Sequence, residues 1–161
     1  MANAAHRRSL SIVTEQFAYR RDTNVPAFDD THPIVIFDGV CVMCSGFVNF
    51  LLRHDRRGAL RFLAAQAPLG QALYLHFGLK IGDFDTYVLL ENGVARVKSD
   101  AALRLFARLG FPWSLLCVGQ IAPRVWRDAI YDFVARNRFK WFGKRETCYA
   151  PSPEERERFI A

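Results

Sequence analysis

Cys41 and Cys44 are separated by Val42 and Met43, and cysteines at that spacing form a two-electron redox device. Residues i and i+3 are neighbours on a helical turn, with Cβ atoms about 5–6 Å apart, so modest adjustment brings the sulfurs to bonding distance. The pair follows a short apolar run, Ile34-Val35-Ile36-Phe37, and Asp38-Gly39-Val40, where helical periodicity begins. A helix start leaves backbone N–H groups unpaired and carries about half a positive charge, which stabilises a thiolate. Cys41 is therefore expected to ionise below the free-thiol value of about 8.5 and to attack. Cys44, deeper in the helix, is expected to resolve the mixed disulfide.

Two other readings of the pair stay open on the residues alone. Both cysteines could pack as small hydrophobes in a core. They could also hold zinc, which would need two further ligands, and Cys117 and Cys148 are single residues without a second Cys-x-x-Cys or His-x-x-x-His. Asp38 has a double reading too. It can cap orphan N–H groups, or relay the proton that Cys44 must lose, while its charge opposes a thiolate nearby. The segment from Ile34 to Gly39 also looks like the nucleophile loop of haloacid-dehalogenase-type phosphatases. Those enzymes need a second aspartate two residues on, where this chain has Val40.

The elements that must position these residues are legible in outline. The 34–37 run, rich in β-branched residues, predicts a buried strand, and a helix is expected from Cys41 to Arg57, stopped by Gly58. A second strand is expected over 60–64, and a helix with Pro68 in its first turn. Runs at 86–90 and 94–98 flank Glu91-Asn92-Gly93, the strongest short-range hairpin signal. Ser99 and Asp100 are expected to cap a helix ended by Gly110, and another helix is expected over about 124–137. The resulting order, β-α-β-α-β-β-α with a helical C-terminal extension, is an α/β arrangement that suits a thioredoxin-like mixed sheet. Residues 1–32 read as a polar arm and 33–161 as the domain.

Composition narrows the class. The 161 residues are 51% hydrophobic and 24% charged, which excludes a mostly disordered chain, a collagen-like repeat and a coiled coil. No apolar run approaches the roughly 20 residues of a membrane-spanning helix. The apolar stretch at 10–13 is too short for a signal-peptide core, so a cytoplasmic protein is expected, although basic, acid-poor residues 1–13 also admit an organelle presequence. The net charge of +6 raises nucleic acid as a partner, but much of the excess sits in Arg124–Arg145, where a solvated basic face is the expected reading, and no nucleic-acid partner is expected. The aromatics between Arg124 and Trp141 interleave with basic residues but recur at helical spacing, so they are expected to pack on the core and not to stack bases. Cys117 is expected to be buried and inert. His6, His32, His54 and His76 form no ligand spacing.

The Asp38…Cys41…Cys44 arrangement resembles the thiol-disulfide oxidoreductase DCC family, named for its Asp-x-x-Cys-x-x-Cys motif. Lys98-Ser99-Asp100-Ala101-Ala102-Leu103 is similar to the family's second motif. Asp128-Ala129-Ile130-Tyr131, Ala135-Arg136-Asn137-Arg138 and Trp141-Phe142-Gly143-Lys144-Arg145, followed by Cys148, resemble its C-terminal signature. The resemblance runs from Pro33 onward and implies a thioredoxin-like fold with a disulfide reductase or oxidase role. Catalysis would rest on Cys41, Cys44 and Asp38, with Asp85, Ser99, Asp100 and Cys148 as site-adjacent residues. Asp85 stands where thioredoxins place a proline facing the disulfide, and is otherwise an ordinary turn acid; Cys148 is either a structural or incidental tail cysteine or, with a folded-back tail, a third redox thiol. No dissociable cofactor and no metal is implied. The expected partners are a protein or small molecule bearing a thiol or disulfide, and an upstream thiol reductant.

Overall fold

The computed structural model describes residues 15–160. The basic stretch at 1–13, which admits a presequence, lies outside the described residues. The strands are β1 (Ile34–Phe37), β2 (Arg61–Ala64), β3 (Val88–Glu91) and β4 (Val94–Val97). The α-helices are α1 (Val42–His54), α2 (Pro68–His76), α3 (Lys98–Leu109) and α4 (Arg124–Phe142), with a 3-10 segment, Trp113–Ile121, before α4.

The sheet order is β2-β1-β3-β4. β1 runs parallel to β2, with Val35 opposite Phe62, and antiparallel to β3, with Val35 opposite Leu89. α1 supplies the crossover between the parallel pair, as a parallel connection requires. β3 and β4 form the expected hairpin. Asn92 and Gly93 both take positive φ, 51° and 75°, the geometry of a type I′ turn. This β-α-β-α-β-β-α order, with helices on both faces of a mixed sheet, is a thioredoxin-like fold.

Strand alternation splits the core in two. Ile34, Ile36, Leu63, Val88 and Leu90 meet Leu69, Leu73 and Tyr74 of α2 on one face. Val35, Phe37, Phe62 and Leu89 meet Val48 and Leu51 of α1, and Ala101 and Leu105 of α3, on the other. All four residues of β1 are buried, which explains why its sequence is a continuous apolar run and not an alternating one.

Residues 15–32 are the part of the polar arm that the structure describes. Tyr19 in them is almost completely buried and donates to Asp30 at 2.7 Å, and Phe17, Val25 and Phe28 pack against the α2-side core. Phe17 N–H donates to Gly93 O at 2.9 Å. A Cβ added at Gly93 would lie 2.5 Å from the Phe17 ring, at a φ that L-residues adopt reluctantly. Gly93→Ala is therefore expected to push the Phe17 ring off the turn and to lower unfolding free energy by about 1–2 kcal/mol, read by urea denaturation.

Three expectations are corrected. Ser99 and Asp100 do not cap α3: the helix begins one residue earlier, at Lys98, after Val97, and has no side-chain cap. Cys117 is half-buried, its thiol donating to Leu103 O at 3.4 Å. The α4 aromatics do not all reach the core. Trp126, Phe133 and Trp141 are exposed, because α4 turns Asp128, Ala135 and Arg138 inward.

Candidate functional site

β1 delivers the chain to the end of the sheet, and Asp38 turns it into α1. Asp38 Oδ1 accepts from the Val40 N–H at 3.1 Å, two residues on, which is the side-chain-to-backbone turn that aspartate favours. Asp38 therefore orders the loop, and Cys41 itself occupies the N-cap of α1. The Cys41 backbone is extended there, and its Sγ accepts from the Cys44 N–H at 3.2 Å. Sulfur thus fills the acceptor position that serine or aspartate usually fills at a helix start.

An acceptor held at the positive end of a helix favours the thiolate. The Cys41 thiol is lowered from 9.0 to about 7. The hydrogen bond from the Cys44 thiol is the main cause, burial opposes it, and the Cys44 N–H and the Arg138 charge assist. Cys44 is pushed the other way, well above the ordinary range. Its hydrogen bond to Cys41 does most of this, followed by burial and by the charge of the Cys41 thiolate. The two thiols are thus driven apart in acidity: Cys41 ionises the more readily and Cys44 keeps its proton.

Beside Cys44 lies a small cavity of about 50 Å³, lined by Asp38, Met43, Cys44, Asp85, Tyr131 and Arg138 among others. Two tyrosines brace it. Tyr87 Oη donates to the Cys44 carbonyl at 2.7 Å, and Tyr131 Oη accepts from the Tyr87 N–H at 2.9 Å. Arg138 reaches in from α4, almost wholly buried. Its Nη2 lies 3.5 Å from Asp38 Oδ2 and 3.0 Å from Asp83 Oδ1. Gln66 completes the cluster, donating to Asp38 Oδ1 at 2.6 Å while its own Oε1 accepts from the Gly39 N–H at 3.0 Å.

The C-terminal tail crosses over this loop. Arg145 N–H donates to Val40 O at 2.7 Å, Tyr149 N–H donates to Gly39 O at 2.8 Å, and Cys41 and Lys144 form an antiparallel bridge. Tyr149 Oη is anchored on Asn49 at 2.7 Å, and Ile160 N–H on Phe62 O at 2.8 Å. Beneath this strap Cys41 is completely buried. Cys148 is exposed, and its sulfur lies 2.3 Å from where a Cβ on Gly39 would stand. Burial of the sulfur pushes its thiol up, in contrast to Cys41.

The remaining residues picked from the sequence divide by place. Asp85 is exposed at the cavity's edge just before β3, accepting from Thr86 Oγ1 at 2.9 Å. Ser99 and Asp100 do not line the cavity. Ser99 donates to Asp128, and Asp100 pairs with Arg124 at 3.0 Å and Arg127 at 3.4 Å, so both join α3 to α4. His54 sits at the core edge, its ring between those of Phe50 and Trp113. Among the described residues no three His, Cys, Asp or Glu side chains converge as metal ligands.

Gln66 and Tyr87 join the site without a motif to mark them, and Arg138 lies in the Ala135–Arg138 stretch, whose resemblance assigned it no role. Arg138 left one usable signal: with Tyr131, Val134 and Ala135 it falls at i, i+3, i+4 and i+7, a single helical face. A cation on such a face requires a buried partner, here Asp38.

Comparisons with known proteins point to one family. The chain is 40% identical over 127 residues to the uncharacterized protein YuxK of Bacillus subtilis, covering 79% of this chain and 93% of that one. It is 39% identical over 121 residues to a DCC family protein of Arabidopsis thaliana named as chloroplastic, covering 74% of this chain and 70% of that one. No solved structure matches the chain. The DCC1-like thiol-disulfide oxidoreductase family matches residues 35–144, which span β1, the Cys41–Cys44 turn, the cavity and the start of the strap. With the cysteine pair at the head of α1 and a thioredoxin-like sheet behind it, the chain belongs to the DCC1-like thiol-disulfide oxidoreductase family.

Proposed function

We propose that the chain reduces disulfides of protein or small-molecule substrates through Cys41 and Cys44. The observation that carries this reading is the Cys41 sulfur at the N-cap of α1, accepting the Cys44 N–H with its pKa lowered to about 7. The strap lifts, and the Cys41 thiolate attacks one sulfur of the substrate disulfide. A Cys41–substrate disulfide forms and the other substrate sulfur leaves as a thiolate. Cys44 then gives up its proton and attacks Cys41 Sγ, releasing the second substrate thiolate and closing a Cys41–Cys44 disulfide. Two electrons pass to the substrate, and an upstream dithiol returns the pair to its reduced state. Asp38 receives the Cys44 proton across the cavity that both line, where there is room for one water. We place this cycle in a reducing compartment such as the cytoplasm, where such a dithiol is maintained.

The test is a redox titration in graded glutathione or dithiothreitol buffers, with thiols trapped by a mass tag and assigned by peptide mass spectrometry. A reversible two-electron couple between Cys41 and Cys44, absent in Cys41→Ser, is expected. Both thiols staying reduced across the whole range would overturn the reading in favour of a binding module with a structural Cys-x-x-Cys.

The ionisation of Cys41 also fixes a pH profile. Because its folded pKa is about 7, the rate of Cys41 alkylation is expected to rise roughly tenfold per pH unit below 7 and to level off above about 8. The folded value lies below the unfolded one, so the thiolate contributes stability that is fully present above the unfolded pKa. That contribution is lost as pH falls through about 7. Timed alkylation with iodoacetamide and urea denaturation across this window check both.

A further inference from the structure

The large exposed apolar side chains are concentrated in one stretch. Ile121 is 84% exposed, Val125 77%, Trp126 68% and Ile130 66%, and Leu115, Val118, Phe133 and Trp141 are also exposed. On α4, positions 125, 126, 129, 130 and 133 fall on the face opposite Tyr131, Ala135 and Arg138, so they point away from the redox cavity. Exposed apolar side chains gathered on one helix face in this way mark an interaction site.

Charge identifies what covers it. On the outer face of α4 the exposed charged residues are both basic, Arg136 and Lys140. The two acids of α4 are engaged inward or sideways, Asp128 with Ser99 and Asp132 with Lys98. Arg136 and Lys140 lie on the same outward face as Trp126 and Ile130. A two-fold dimer through this face would set these cations against their own copies with no exposed acid of the face to answer them. A bilayer surface with anionic headgroups supplies both needs at once: apolar depth for Trp126, Ile130 and Phe133, and negative charge for the basic residues beside them. Tryptophan, here Trp126 and Trp141, is the side chain that settles at such an interface.

We propose that the outer face of α4, with the 3-10 segment before it, docks the protein on the surface of an anionic lipid bilayer. The helix lies in the interface and does not cross it, and among the described residues no helix is long and apolar enough to cross. The buried face of the same helix carries Arg138, so docking holds the Cys41–Cys44 site at a fixed height above the membrane. Disulfides of membrane-bound partners would then be presented to it.

The test is co-sedimentation of the full chain with phosphatidylcholine vesicles and with vesicles that also contain phosphatidylglycerol. Pelleting with the phosphatidylglycerol vesicles is expected, accompanied by a blue shift of tryptophan emission. Trp126→Glu/Ile130→Glu is expected to abolish it. Arg136→Gln/Lys140→Gln is expected to weaken partitioning about thirtyfold, at about 1 kcal/mol per basic residue. Both pairs are exposed, so circular dichroism should report an unchanged fold. Cys41→Ser should pellet like the unaltered chain, which separates this inference from the redox reading. The proposal is overturned if the protein stays in the supernatant with both vesicle types. It is overturned equally if sedimentation equilibrium shows a dimer that Trp126→Glu/Ile130→Glu dissociates.

Discussion

Arg138→Met is expected to raise the pKa of the Cys41 thiol and to lower unfolding free energy by about 3 kcal/mol. The side chains of Arg138 and Asp38 are 3% and 2% exposed, so neither charge has water to fall back on. Removing the cation leaves Asp38 buried with only Gln66 and the Val40 N–H as donors. An uncompensated buried carboxylate costs far more than an intact pair is worth. The same change acts on the nucleophile. The Arg138 charge helps to lower Cys41 and the Asp38 charge opposes it, so the substitution removes the assistance and exposes the opposition. A purely structural arginine would lower stability and leave the thiol alone, so the discriminating readout is the ultraviolet titration of the Cys41 thiolate. Arg138→Lys should return most of that titration, since the charge is kept. It should return less of the stability, because one ammonium cannot reproduce both arms of the guanidinium, Nη2 reaching Asp38 and Asp83 while Nη1 donates to Ala135 O at 2.7 Å. A folded Arg138→Met whose Cys41 titrates as before would reduce Arg138 to a packing residue.

What is legible in the sequence is local. The continuous apolar run 34–37, the Cys-x-x-Cys that follows it and the Asn92-Gly93 turn each carry their meaning within a few residues, and each is where the spacing puts it. The cluster around Asp38 is not legible, because Gln66 lies 28 residues away and Arg138 lies 100. Nothing in a period of 3.6 or 2 links such positions. The α4 helix shows a different limit. Its apolar stripe suggests the buried face, yet the inward face carries Asp128, Tyr131 and Arg138. Periodicity reports that a helix has two faces. It assigns the apolar face to the core only when the polar face lacks partners, and here Ser99 and Asp38 supply them. Cys148 stands between these cases: its residue type marks it as a candidate, but its place over Gly39 depends on the course of the whole tail.

Gly39→Ala is expected to accelerate alkylation of Cys41 by about a hundredfold. A completely buried nucleophile reacts with reagent only through an opened state, so its rate measures how often the strap leaves the 39–41 loop. The strap is held by the backbone bonds from Arg145 and Tyr149 and by the Tyr149 hydroxyl on Asn49. At about 1 kcal/mol net for each hydrogen bond, breaking all three raises the open population by about two orders of magnitude. The Gly39 Cβ would stand 2.3 Å from the Cys148 sulfur, a separation that cannot persist, and 3.2 Å from Gln66 Oε1, which can yield. The Cys148 thiol must be displaced, the strap that carries it is expected to move with it, and relieving the sulfur should let it return. In Gly39→Ala/Cys148→Ala the Cys41 rate should fall back most of the way, while Cys148→Ala alone should leave Cys41 slow. Peptide mapping is needed in each variant, because exposed Cys148 takes the same reagent. If Gly39→Ala reacts no faster than the unaltered chain, the tail is not what shields Cys41. If it reacts faster and the double variant does not recover, the contact with Cys148 is not what couples the loop to the strap. The expected pattern, fast in Gly39→Ala and slow in the other three proteins, would identify lifting of the 144–149 segment as the step that admits a substrate disulfide.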